Sequence, residues 1–200
     1  MRAGGTWSLE VGQWTDDTSM ALCLAASLLM TGECDPFDQT MRYLAWYERS
    51  YLSSKEGDGP AFDIGGNGGL MRLAPIPIFF YKDTNSAIQY ATVSCATTHR
   101  AGFAIDACKL HAALICEALK LNSSKSALLD NDFYKKFFGL KDLNEEILEI
   151  AKGSYKTPAD APPEGTIGNA NGKASKSLKA ALWAFHDGNS FQRGWSLRLD

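Results

Sequence analysis

The chain has 200 residues and a formal net charge of −3, enough for one sizeable core but too nearly neutral to pull strongly on nucleic acid or anionic lipid. With 22% charged and 45% hydrophobic residues it falls among chains that bury a core rather than among disordered ones. No apolar run approaches the roughly 20 residues a membrane-spanning helix needs, and Met1–Gly5 carries no signal-peptide core.

Cys23, Cys34, Cys95, Cys108 and Cys116 are odd in number and lack metal-finger spacing. They read as buried free thiols of a cytoplasmic protein.

Residues 1–14 are glycine-rich and read as a loop. The stretch Gly12-Gln13-Trp14-Thr15-Asp16-Asp17-Thr18-Ser19-Met20 then sets two adjacent carboxylates and three hydroxyls ahead of an apolar helical pattern. Neighbouring carboxylates repel and raise one another's pKa, a conflict that a bound cation relieves. Ligands that are all oxygen suit Mg2+, Mn2+ or Ca2+ rather than zinc. The same residue types also suit a helix start, where they cap and complement the dipole. On this motif alone both readings stand, and Thr18 and Ser19 are assigned to capping.

A helix is predicted over 17–30, with Met20, Leu24, Ala25, Leu28 and Leu29 inward and Gly32 as its C-cap. Asp35-Pro36 starts the next, whose inner stripe is read as Phe37, Thr40, Met41, Leu44 and Tyr47 or Tyr51. Residues 53–69 form a loop rich in glycine. A short helix or turn ends at Pro75, where another helix begins. Asp83 or Thr84 caps a helix with Ile88, Ala91 and Val93 inward.

The longest predicted helix spans 98–121 and is apolar over more than one face, which marks it as central. His99 then falls at its start, with Asp106 two turns on along the same face. His111 reads as a satisfied core histidine, and His186 as a surface group at a helix end. A short helix follows over 126–138. Asp142 is read as the cap of a helix with Leu143, Ile147, Leu148 and Ile150 inside. Lys152 to Asn171 is a loop. The last helix covers 174–185, with Leu178, Ala181, Leu182 and Phe185 inside. No segment alternates with period two, so the fold class is all-α, a compact orthogonal multi-helix bundle.

Three elements occur in order: Trp14-Thr15-Asp16-Asp17-Thr18, then Gly66-Asn67-Gly68-Gly69-Leu70-Met71-Arg72-Leu73-Ala74-Pro75, then Thr97-Thr98-His99. Together they resemble the ADP-ribosylglycohydrolase family, which includes the dinitrogenase reductase-activating glycohydrolases and the ADP-ribosylarginine and ADP-ribosylserine hydrolases. The resemblance covers most of residues 1–196. It implies an all-helical, metal-dependent hydrolase that cleaves the glycosidic bond of an ADP-ribosylated protein or small molecule, usually with two cations, Mg2+ or Mn2+.

By the same resemblance Thr15, Asp16 and Asp17 are metal ligands, Asp16 and Asp17 being catalytic through the metal. Gly66, Asn67, Gly68 and Met71 line the ADP-ribose cleft, and His99 meets the ribose or phosphate region. Neither membrane nor nucleic acid is an expected partner, and a monomer is expected. Arg72 reads as a solvated or helix-dipole-paired arginine rather than a phosphate ligand.

The family pattern is incomplete in these 200 residues. Relatives carry an upstream helix with Gly-Asp and a glutamate, and a later Asp-x-Asp-Thr motif that holds the other half of the metal site. Phe62-Asp63-Ile64-Gly65 abuts Gly66-Asn67 here, where relatives separate the two elements. Lys173 stands where many relatives have tyrosine. The expectation is therefore a domain incomplete at both termini, with weak cation affinity and low turnover. A non-catalytic ADP-ribose-binding or crystallin-like structural member is the alternative. A phosphatase using the paired aspartates is a third and weaker reading.

Overall fold

The computed structural model describes residues 9–54, 66–120, 124–139, 141–156 and 172–190. Among them the elements are α1 (Asp16–Thr31), α2 (Pro36–Arg49), α3 (Gly68–Met71), α4 (Pro75–Phe79), α5 (Thr84–Ala96), α6 (Gly102–Leu119), α7 (Lys125–Leu128), α8 (Glu145–Ala151) and α9 (Ala174–Asp187). Short 3-10 turns lie at Phe133–Lys136 and Ser154–Lys156. Outside the helices an antiparallel bridge pairs Gly66 with Lys173. The fold is all-α, and no helix among the described residues is long and apolar enough to cross a membrane.

Helix ends follow local chemistry. Gly32 closes α1 in the left-handed conformation at φ 75°, where a Cβ would be strained. The Asp35 carboxylate accepts from the Phe37 and Asp38 amides, with Pro36 at the first helical position. Asp83 caps α5 by accepting from Asn85 N. Asn144, not Asp142, caps α8, accepting from Glu146 N. Asp142 instead accepts from Gly139 N at 2.8 Å and closes the preceding turn.

The centre is α6, which touches α3, α4, α5, α7, α8 and α9. Its buried residues Ala104, Ala107, Cys108, Ala112, Ala113 and Cys116 are small, as are Ala87, Ala91, Ser94 and Cys95 of α5. Small side chains let these two helices lie close along their lengths, and theirs is the most extensive helix pairing in the fold. Cys23, Cys95, Cys108 and Cys116 are buried free thiols and Cys34 is half-buried. Burial pushes Cys23 and Cys116 up to about 11, so both stay protonated and unreactive near neutral pH.

Several predicted details change. The 98–121 helix begins only at Gly102, so Thr98 and His99 precede it. Asp106 therefore shares no helix face with His99; it pairs with Lys109 at 2.8 Å and accepts from Asn144 N. The 126–138 helix is broken into α7 and the turn at Phe133–Lys136. Leu29 of α1 and Phe185 of α9 face outward.

The largest change is in α2. Phe37 is 74% exposed, and Thr40, Met41, Leu44, Tyr47 and Tyr51 are exposed with it, while Gln39, Tyr43 and Trp46 are buried. The helix turns its two large amphipathic rings inward because they bury the most area and because Tyr43 offers a ring face to a buried cation, the Arg72 guanidinium 4.3 Å from its centroid.

His111 is only half-buried as a residue, yet its Nδ1 is sealed from solvent with no hydrogen-bond partner. Burial lowers its pKa from 6.5 to about 4. The unfolded chain then takes up a proton first as pH falls, so stability is lost from about pH 6.5 downward and the loss is complete near pH 4. Urea unfolding should show a fall of roughly 2–3 kcal/mol between pH 7 and pH 4.5, from about 1.4 kcal/mol per pKa unit. His111→Leu should flatten that limb, and an unchanged limb in the variant would show that another group causes it.

Candidate functional site

Asn67 stands before α3 and accepts from Leu70 N and Met71 N, both at 2.8 Å, through its own carbonyl. That leaves its side-chain amide free of the helix, and Nδ2 donates to Ser177 Oγ of α9 at 3.0 Å. One residue earlier, Gly66 forms the antiparallel bridge with Lys173. The turn is thus held against the start of α9 at two points.

Gly68 and Gly69 are required by close approach on the opposite side. A Cβ on Gly68 would lie 2.5 Å from His99 Cε1 and 2.8 Å from Nε2. One on Gly69 would lie 2.6 Å from Cys95 Sγ. Glycine is the residue that lets backbone and imidazole meet at this separation.

His99 is buried, and Thr98 Oγ1 lies 2.7 Å from its Nδ1. Whichever atom donates, this contact fixes the ring's rotation and leaves Nε2 on the Gly68 side. The His99 amide donates to Cys95 O at 2.8 Å, and Cys95 Sγ donates to His99 O at 3.4 Å. The histidine therefore closes the last turn of α5 rather than opening α6.

The structure thus joins Gly66, Asn67, Gly68 and His99 into one wall. Met71 is half-buried in α3 and packs on the core beneath it. Ser177 belongs to the same wall and was not singled out from sequence. Lys173 points from this edge to a neighbouring cluster. Its Nζ meets Glu146 Oε2 at 2.7 Å and lies 4.7 Å from the Phe103 ring centroid, and Ser175 Oγ donates to Glu146 Oε1. Partial burial pushes the Glu146 carboxyl up, but the Lys173 and Ser175 hydrogen bonds outweigh it and leave the group below its ordinary value.

Thr15, Asp16 and Asp17 lie at the start of α1, a helix that packs on α3. Thr15 is the N-cap residue but makes no side-chain cap; its Oγ1 donates to Asp17 Oδ2 at 2.9 Å. Thr18 and Ser19 are within the helix rather than capping it, and the buried Ser19 hydroxyl donates to Thr15 O. Trp14 fixes the approach: its amide donates to Ser54 Oγ, which donates back to Trp14 O, each at 2.8 Å.

The donor set of Thr15, Asp16 and Asp17 is oxygen only. It fits a hard cation such as Mg2+, which commonly binds through one or two carboxylates and keeps several waters. Among the described residues no group of three or more His, Cys, Asp or Glu is placed to hold a metal. Phe62-Asp63-Ile64-Gly65 lies outside the described residues.

Comparison with known proteins gives consistent matches. A family model described as ADP-ribosylglycohydrolase matches residues 1–197. The chain is 28% identical over 217 residues to ADP-ribosylarginine hydrolase Tri1 of Pseudomonas putida (strain GB-1), covering 96% of this chain and 54% of that protein. It is 26% identical over 217 residues to ADP-ribosylarginine hydrolase Tri1 of Serratia proteamaculans (strain 568), covering 96% of this chain and 55% of that one. The chain thus spans about half the length of these curated relatives. A solved structure titled "ADP-ribosylglycohydrolase-related protein complex" matches with a TM-score of 0.76 and 35% identity, over 98% of this chain and 68% of that one.

Proposed function

The chain belongs to the ADP-ribosylglycohydrolase family, and from that premise we propose that it carries the ADP-ribose-binding wall and a cation-binding carboxylate pair of a hydrolase that cleaves ADP-ribosyl glycosidic bonds. The observation that carries this reading is that the Asn67-Gly68 turn meets two elements far apart in sequence, Gly68 lying against His99 and Asn67 bonding Ser177. Family-like residues that meet across the fold are better support than family-like residues in a string.

In the proposed reaction the bond between the anomeric carbon of the ribose and the acceptor atom breaks. Water supplies hydroxide to that carbon and a proton to the leaving group. Positive charge builds on the ribose as the bond lengthens. Mg2+ or Mn2+, when bound by Thr15, Asp16 and Asp17, would polarise oxygen and lower the pKa of a water. His99, held by Thr98, orients the ribose or phosphate region, and Asn67 contributes an amide that both donates and accepts. The Gly66–Gly68 backbone admits the diphosphate close to the chain.

The substrate class that this reading favours is an ADP-ribosylarginine side chain, the group named for both curated relatives. The test is chromatography of a mono-ADP-ribosylarginine peptide incubated with the chain and Mg2+. Free ADP-ribose and an intact arginine peptide are expected. Orthophosphate as the product would instead support the phosphatase reading, and no product with ADP-ribose still bound would support the non-catalytic one.

A further inference from the structure

The residue that follows the turn is Arg72, and it is fully buried. Burying a guanidinium is costly unless charge or hydrogen bonds compensate, and among the described residues no carboxylate lies within ion-pair distance of it. Its Nε and Nη1 also have no hydrogen-bond partner there. What it does have is specific. Nη2 donates to Ser94 O at 3.0 Å and to Thr97 Oγ1 at 3.1 Å, and the cation sits over the Tyr43 ring.

Ser94 O belongs to the last turn of α5, where it accepts from Thr97 N at a long 3.4 Å and a cation complements the dipole. Thr97 Oγ1 donates to the same carbonyl at 2.7 Å. One step further along, the Thr98 and His99 amides both donate to Cys95 O. Arg72 therefore joins the end of α3 to the backbone that carries the histidine.

We propose that Arg72 is a positioning residue: its bonds to Ser94 O and Thr97 Oγ1 lock the end of α5 to the Asn67–Met71 turn and so hold the His99 imidazole against Gly68. A filler of similar length would occupy the space but would leave Ser94 O and Thr97 without this donor. The role in ligand binding rests on the reading of the Asn67–His99 wall given above; the role in placing His99 does not.

The experiment uses the 200-residue chain without ligand first. The His99 imidazole 1H–15N signals and the nuclear Overhauser contact between His99 Hε1 and Gly68 Hα are recorded for wild type, Arg72→Met, Arg72→Lys and Thr97→Val. His111 and His186 serve as internal references. In Thr97→Val and Arg72→Met the His99 signals should shift and the Gly68 contact weaken, while His111 and His186 stay in place. Arg72→Lys should restore part of the change.

Calorimetry with ADP-ribose should then show affinity reduced by roughly tenfold or more in the first two variants. If Arg72→Met does not fold, Thr97→Val decides, since it loses one hydroxyl and keeps its shape. A folded Thr97→Val with unchanged His99 signals and affinity within about twofold of wild type would overturn the proposal. If wild type fails to bind ADP-ribose while the His99 signals still move, the binding-wall reading fails and the positioning role stands.

Discussion

Gly68→Ala should lower ADP-ribose affinity by roughly 10- to 100-fold, and Gly102→Ala, a few residues beyond His99, should leave it unchanged. The Cβ added at 68 would sit 2.5 Å from His99 Cε1, closer than carbon atoms can approach. His99 cannot simply step aside: it is buried, and Thr98 Oγ1 holds its Nδ1 at 2.7 Å. Overpacking of this kind costs about 1–3 kcal/mol, which would be met by displacing the ring or the turn. Either displacement opens the wall that the ligand is proposed to touch. At Gly102 an added Cβ meets nothing within 4 Å, so that variant reports on helix propensity alone. Isothermal calorimetry with ADP-ribose on both variants checks the contrast. Equal affinities would mean that the Gly68–His99 contact has no part in binding.

The paired substitution Asp16→Asn with Asp17→Asn should abolish most of the hydrolysis while leaving the fold. Both side chains keep their shape, so the first turn of α1 is preserved. The lost charges at a helix N-terminus cost about 0.3–1 kcal/mol each, a modest drop in thermal stability. The same charges are asked to hold the cation that polarises the reacting oxygen, an effect worth several kcal/mol. At about 1.4 kcal/mol per factor of ten, a fall in turnover of at least ~100-fold is expected. Titration of the wild-type chain with Mg2+ should show weak binding, in the range of about 10−4 M or weaker, because among the described residues two carboxylates and a hydroxyl are the groups assigned to the ion. Tight binding of two ions per chain would contradict this account of the site. Retention of full turnover by the doubly substituted protein would contradict the catalytic role.

The parts of the fold that were legible in the sequence are those decided by single residues. Gly32, Asp35-Pro36 and Asp83 mark helix ends because a positive φ, a fixed φ or a capping carboxylate acts within a few residues. The orientation of α2 was not legible, because the helix carries large rings on both sides. Periodicity favoured the side with more apolar residues, Phe37, Met41, Leu44 and Tyr47. The structure buries the side with Gln39, Tyr43 and Trp46, whose pairing with Arg72 depends on α3 and α5, elements distant in the chain.

The site shows the same division. Asn67, Gly68 and His99 stand out by motif, and the structure adds that Gly68 lies against the His99 ring. Ser177 carries no motif of its own and becomes visible only as the partner of Asn67. The start of α6 was misplaced because Thr97-Thr98-His99-Arg100-Ala101 continues smoothly into a helical pattern. The backbone instead closes α5 with its own amide bonds to Cys95 O.

The most direct measurement is a 1H–15N titration of the chain with ADP-ribose, read at assigned backbone and imidazole resonances. Saturable shifts concentrated at Asn67, Gly68, Gly69 and His99, with the Ser177 amide following, are expected. Shifts confined to other faces, or no shift at millimolar ligand while the protein is folded, would contradict the proposed binding wall.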